Sequence, residues 1–252
     1  MAEQVVDGEG HTAMVGAAGH PAEPRHPVGG RRDRPHGPPD RGRRTHTRCT
    51  SAATTLPAVH ATDWDARYAE KQQWSAEPNP VVAELCADLA PGTAVDLAAG
   101  EGRHALWLAA RGWRVTAVDF SAVGLDRGRA TWHGPDVLWS VADVTTWTAA
   151  EASLDLVLVA YLHLPEAETA GLLTRAVGWL RPGGRLLVLG HDVDNVAHGV
   201  GGPQDTAILH SVDRLAPVAA LLEVDRLEQL PRETPAGTAL DTLLWGRRPV
   251  SR

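Results

Sequence analysis

The sequence predicts an α/β domain with a mostly parallel sheet and helices on both faces. Short β-branched, apolar segments alternate with longer amphipathic ones from residue 93 onward, the pattern of βαβ units whose strands are buried on both sides. The first of these segments runs straight into a turn of small residues, AAGEG at 98–102, and then into a helical pattern. Hydrophobic residues make up 43% of the 252-residue chain, enough for a packed core.

Residues 1–58 stand apart. Stretches such as GHPAEPRHPVGGRRDRPHGPPDRGRRTHTR are dense in Gly, Pro, Arg and His and hold no periodic apolar positions, so they cannot bury enough surface to offset ordering entropy. They are expected to form a disordered, slightly basic tail ahead of a globular, clearly acidic domain over 59–252. Residues 63–71 read as a short helix with Trp64 and Tyr68 one turn apart. Asn79-Pro80 then opens a second helix through Leu89, with Pro80 at its first position.

The strand 93–97 carries Asp96 near its end, and the helix 103–110 stops at Gly112, where glycine adopts a left-handed conformation at little cost. Residues 113–118 read as a second buried strand ending on Asp119. Further strands are read at 137–143 and 154–160, and LRPGGRLLVLG at 180–190 combines a helix end, a Pro-Gly-Gly turn and a strand. The polar, glycine-rich run 191–205 reads as a long functional loop. Ser211 caps a helix through Leu222, after which LLEVDRLEQLPR and TALDTLLWGRR close the sheet as a hairpin.

The turn at 98–102 is the most informative stretch. Small residues at 98, 99, 100 and 102 let the backbone approach a ligand, and the N-terminus of the following helix points at the same place. The dinucleotide fingerprint G-x-G-x-x-G would put glycines where this chain has Ala98, Gly100 and Arg103, and the bulk of Arg103 disfavours a pyrophosphate clasp. The other register, Asp96-x-Ala98-x-Gly100-x-Gly102, sets an acid ahead of the small residues and is similar to the pattern of the class I S-adenosylmethionine-dependent methyltransferases, which implies a cofactor with cationic and hydroxyl groups and no phosphate. Asp119 is placed to accept from both hydroxyls of a ribose, each charge-assisted bond contributing about 1.5–3 kcal/mol.

That register resembles the class I S-adenosylmethionine-dependent methyltransferases. The blocks VLWSVAD, LDLVLVA followed by Tyr161-Leu162-His163-Leu164, and LRPGGRLLVLG are similar to the family's third to fifth strands in order and spacing. DLAAGEGRHALWLAARGWRVTAVDFS and the upstream WDARYAEKQQWSAEPNPVVAEL are most similar to small bacterial methyltransferases of the tellurite-resistance and thiopurine type. The departure is Ala98-Ala99, where most relatives carry Gly followed by Cys, Gly or Ala. The resemblance implies a Rossmann-like, seven-stranded, mostly parallel sheet with S-adenosylmethionine at the carboxyl ends of the strands.

It also implies site residues. Asp96 is expected beside the methionine amino group, Ala98, Gly100 and Gly102 at the close-approach turn, Asp119 with Phe120 at the ribose, Asp143 with Val144 at the adenine, and Tyr161 at the methionine and acceptor side. The segment ahead of the first strand folds over the cofactor in this family, making Trp74 a lid residue. His163 and His191, at the carboxyl ends of predicted strands, are the candidate catalytic groups, suited to act as general base. A structural histidine competes with each of these readings, bonding to turn amides competes for Asp96, and plain packing competes for Trp74.

Composition narrows the partners. A formal net charge of −7 argues against nucleic acid as a general partner, and the chain has neither an 18-residue apolar run nor a signal-peptide pattern, so a cytoplasmic protein with no membrane partner is expected. Cys49 and Cys86 form no disulfide framework, and no Cys or His pair has metal-ligand spacing, so no metal is expected. The acceptor is expected to be a small molecule, a thiol or metalloid oxyanion by the subfamily resemblance. Two other readings stay open. One is a nicotinamide-dependent oxidoreductase, disfavoured by Arg103 and by Lys71 being the sole lysine, with no Tyr-x-x-x-Lys pair. The other is a non-catalytic cofactor-binding protein.

Overall fold

The computed structural model describes residues 61–73, 75–134 and 137–250. The expected tail at 1–58 and the expected lid residue Trp74 lie outside the described residues. Helices α1 (Ala61–Glu70) and α2 (Pro80–Cys86) lead into β1 (Thr93–Leu97), α3 (Arg103–Ala109), β2 (Arg114–Asp119), α4 (Ala122–Thr131), β3 (Leu138–Val141), β4 (Leu154–Ala160), α5 (Glu166–Trp179) and β5 (Leu180–His191). After α6 (Asn195–His198) and α7 (Val212–Ala219) the chain ends in β6 (Glu223–Thr234) and β7 (Gly237–Arg247). The seven strands lie in the order β3-β2-β1-β4-β5-β7-β6, with β7 antiparallel to both neighbours and the remaining pairs parallel. Strand order reverses between β1 and β4, the switch point where open α/β sheets leave a crevice for ligands.

Both faces of the central strands are covered, which explains their unbroken apolar runs. Val95, Val157, Val159, Val188 and Leu244 pack with α5 and α7, while Ala94, Leu156, Leu158, Leu187 and Leu189 pack with α2, α3 and α4. Successive side chains of a strand alternate faces, so each strand feeds both clusters. Full burial of each Val or Leu contributes about 1.5–3 kcal/mol.

The helix starts follow local chemistry. Asn79 caps α2 by accepting from Val81 N, Ser121 caps α4 by accepting from Gly124 N, and Ser211 caps α7 by accepting from Arg214 N. Gly112 has φ +87 and returns its N–H to Ala109 O.

Three expectations are corrected. The third strand is shorter than 137–143, because β3 is an edge strand paired only with β2, leaving Leu138 and Val141 exposed and Asp143 beyond its end. The Pro-Gly-Gly segment is not a turn between α5 and β5 but an irregular stretch within the strand. Leu180 pairs with Leu154, the register then shifts, and Gly183 and Gly184 bond instead to Arg248. The run 191–205 is not one long loop, since it holds the end of β5 and α6. His191 completes β5, and buried Asp192 and Asn195 tie the segment down by accepting from the Thr242 hydroxyl and from Leu240 N.

Candidate active site

A cavity of about 420 Å³ opens at the carboxyl ends of the central strands, within the range of small-molecule sites. The turn after β1 contributes Ala98, Ala99, Arg103 and His104, β2 ends there with Asp119 and Phe120, and Asp143 and Val144 follow β3. Residues 160–164 form the wall after β4, α1 adds Trp64, Arg67 and Tyr68, and Pro203 and Ile208 complete it.

The turn is left-handed at Ala98, Gly100 and Gly102, with φ of 59°, 57° and 77°. For Ala98 that conformation costs about 1–2 kcal/mol that glycine would avoid. Ala98 lines the cavity, whereas Gly100 and Gly102 shape it from behind. Gly100 N donates to Asp119 Oδ2 at 2.8 Å, and a Cβ at Gly102 would sit 2.7 Å from the Trp139 ring.

Asp119 is buried at the tip of β2, with Oδ2 held by Gly100 N and Oδ1 by Ser121 N, both at 2.8 Å. Each oxygen keeps a lone pair for a ligand. Burial raises its pKa, the Ser121 and Gly100 amides oppose that rise, and Asp65 adds to it. Asp143 is exposed on the wall, with Oδ1 accepting from both the N–H and the hydroxyl of Thr145.

Asp96 does not reach the wall. It is 1% exposed, its Oδ2 accepts from Ala105 N at 3.2 Å, and burial pushes its carboxyl up to about 7. The amide bond weighed against a ligand role is therefore present, made by α3.

Tyr161 is left-handed too, at φ 59°, and its ring forms the wall. Its hydroxyl donates to Asp241 Oδ2 at 2.7 Å and accepts from Asn79 Nδ2 at 3.0 Å. His163 is on the wall, with Nε2 accepting from His191 N at 3.1 Å. His191 is not brought to the cavity. Its ring lies behind that of His163, with Nδ1 3.2 Å from Asp241 Oδ1.

Sequence reading passed over three wall residues. Arg67 shares the stripe of Trp64 and Tyr68, a spacing that marks one helix face. Arg103, which in the sequence signals only an obstacle to pyrophosphate, also lines the cavity. His104, buried in the first turn of α3, accepts at Nε2 from Asn79 N at 3.2 Å, and burial, aided by the Arg103 charge, lowers it to about 3.

Residues 94–184, which carry β1 through the start of β5 and most of these walls, match the family model of a methyltransferase domain. That segment is a methyltransferase domain by this match, and the chain is similar to the class I S-adenosylmethionine-dependent methyltransferases. The chain is 30% identical over 132 residues to an uncharacterised methyltransferase of Mycobacterium tuberculosis, a match covering 51% of the chain and 66% of the relative. The chain thus spans just under two thirds of the length of the curated relatives it matches. TehB of Haemophilus influenzae has a similar fold, with a TM-score of 0.60 at 16% identity over 73% of this chain and 67% of that one. So does a structure described as the conversion of a disulfide bond into a thioacetal group during echinomycin biosynthesis, with a TM-score of 0.58 at 20% identity over 76% of this chain and 93% of that one.

The residues fit the family's cofactor. A buried carboxylate with open lone pairs stands at the β2 tip, apolar Phe120 and Val144 flank it with Asp143 alongside, and the turn is backbone-lined. Among the described residues no helix is long and apolar enough to cross a membrane, and no cluster of three or more His, Cys, Asp or Glu is arranged to hold a metal ion.

Proposed function

We propose that this chain transfers a methyl group from S-adenosylmethionine to a small, soft nucleophile such as a thiol or a metalloid oxyanion. The observation that carries this reading is the division of the cavity. Its carboxylates, Asp119 and Asp143, stand at the ends of β2 and β3, while the side after β4 is largely apolar, with Ala160, Leu162 and Leu164 around the His163 imidazole. When bound, S-adenosylmethionine supplies a methyl group activated by a sulfonium. The chain's own part is to hold and align. Asp119 accepts from the ribose, and Phe120 and Val144 cover the base. Tyr161 gives a rigid wall because Asn79 and Asp241 fix its hydroxyl, and Trp64 and Tyr68 on α1 keep water out. Alignment of a good nucleophile with an activated carbon supplies most of the rate such a reaction needs.

The test is calorimetry with S-adenosylmethionine, S-adenosylhomocysteine and both nicotinamide cofactors, followed by turnover of a panel containing a thiol, tellurite, selenite, a phenol and an amine. The two sulfur compounds are expected to bind, and the thiol or oxyanions to be methylated. Nicotinamide binding without S-adenosylmethionine binding would overturn the whole reading. Activity confined to the phenol or amine would overturn the choice of acceptor alone.

A further inference from the structure

His163 and His104 share an arrangement that fixes their chemistry. Both rings lie on the cavity wall, and each has a backbone N–H aimed at Nε2: His191 N at 3.1 Å from His163, and Asn79 N at 3.2 Å from His104. An amide N–H can only donate, so Nε2 must hold a lone pair and the ring proton must sit on Nδ1. Protonating either ring would break its bond. Burial disfavours that charge as well, with His210 and His191 adding to the effect at His163.

The His163 ring is also held in place. It stacks on His191 with centroids 5.3 Å apart and on His210 with centroids 5.6 Å apart. His210 Nε2 lies 3.1 Å from the Leu162 carbonyl oxygen, which accepts from it, so that ring takes the opposite tautomer. A general base needs an open lone pair within reach of the substrate proton. Neither wall imidazole has one, the Tyr161 hydroxyl is engaged by Asp241 and Asn79, and the wall carboxylates Asp119 and Asp143 follow β2 and β3, on the side read as holding the cofactor.

We propose that His163 recognises the methyl acceptor by donating its Nδ1–H to it, so that the acceptor reaches the cavity already unprotonated at the atom to be methylated. This rests on the methyltransferase reading. The acceptor's lone pair forms the new bond to the methyl carbon while the carbon–sulfur bond of the sulfonium breaks, its electron pair staying on sulfur. No proton has to leave. The class that fits is an anion such as a thiolate, carboxylate or oxyanion, and a neutral alcohol or an ammonium group is excluded. His191 and His210, stacked on His163, and Asp241, which faces His191 from β7, hold the ring and do not take the acceptor's proton. The acid limb of kcat/KM therefore follows the pKa of each acceptor.

Long-range proton–nitrogen correlation spectra of the uniformly 15N-labelled full chain, with signals assigned through His163→Asn and His104→Asn, read the tautomers directly. Nδ1–H is expected for both residues and Nε2–H for His210. An Nε2–H tautomer at His163 would overturn the proposal whether or not the chain is a methyltransferase. In turnover, the Asn side chain keeps a donor near the Nδ1 position but cannot act as a base. His163→Leu is expected to raise the acceptor KM about tenfold or more with kcat within threefold, while His163→Asn recovers most of that loss. Equal collapse of kcat in both variants, or an acid limb fixed across thiols of different pKa, would show a base and sink the proposal. Loss of S-adenosylmethionine binding by the wild type would instead sink the reading on which it rests.

Discussion

His191 and Asp241 stand directly opposite each other across the β5–β7 ladder, with Nδ1 of one 3.2 Å from Oδ1 of the other. Asp241 also accepts from the Tyr161 hydroxyl and from Arg232 Nε, each at 2.7 Å. One buried carboxylate thus sets the positions of a wall tyrosine and of the histidine whose amide fixes His163.

This makes Asp241 a source of acid sensitivity. Burial alone would raise its pKa, but His191, Arg232 and Tyr161 together hold it at about 2, below the unfolded value of 3.8. A depressed carboxylate contributes stability above its unfolded pKa and loses it as pH falls through the folded one, here between about 4 and 2, an amount on the order of 2 kcal/mol. Asp241→Asn should lower the melting temperature at pH 7 and remove that part of the acid slope in melts run across pH.

Asp96 has the opposite sign. Its folded pKa of about 7 lies above the unfolded 3.8, so the native state binds the extra proton and stability falls as pH rises from about 4 to 7. The contribution is up to about 4 kcal/mol. Asp96→Asn keeps an acceptor for Ala105 N and should flatten this window, with melting temperatures converging on the wild type near pH 4 and exceeding it at pH 8. Unchanged pH dependence would remove Asp96 as the cause.

On the proposed reading Asp119 accepts from both ribose hydroxyls, so Asp119→Ala should weaken S-adenosylmethionine by roughly 2–4 kcal/mol, or about 30- to 1,000-fold, in titration calorimetry. An effect below about threefold would take Asp119 out of the binding site.

Gly128, on α4, lies against the turn itself. A Cβ there would fall 2.3 Å from the Glu101 carbonyl oxygen and 2.8 Å from the Trp139 ring. Gly128→Ala should cost about 1–3 kcal/mol in chemical denaturation by pushing α4 off the turn. It should also weaken cofactor binding, although residue 128 does not line the cavity.

What the sequence makes legible is what local chemistry decides. The β1–turn–α3–β2 unit, the Asn79, Ser121 and Ser211 caps and the closing hairpin each depend on residues a few positions apart. Of the expected cofactor residues, Ala98, Asp119, Phe120, Asp143, Val144 and Tyr161 do line one cavity, because the ends of parallel strands converge at the switch point. The fate of the histidines is not legible. Whether His163 is base or donor depends on an amide 28 residues away, and whether His191 faces substrate or Asp241 depends on the β5–β7 register. The run 191–205 is polar for the same reason: Asp192 and Asn195 bond to β7, so polarity that suggests a solvated loop is here internal wiring.

Ser121 caps α4 with its oxygen, gives its N–H to Asp119 and gives its hydroxyl proton to Asp65 of α1 at 2.6 Å. The helix that roofs the cavity is therefore tethered one residue-link from the carboxylate beneath it. Filling the cavity and seating α1 are two ends of a single equilibrium, and by reciprocity each strengthens the other. A protease that cuts within 61–70 should be slowed by S-adenosylhomocysteine, and a chain shortened past Glu70 should bind it less well with every strand-end carboxylate still in place.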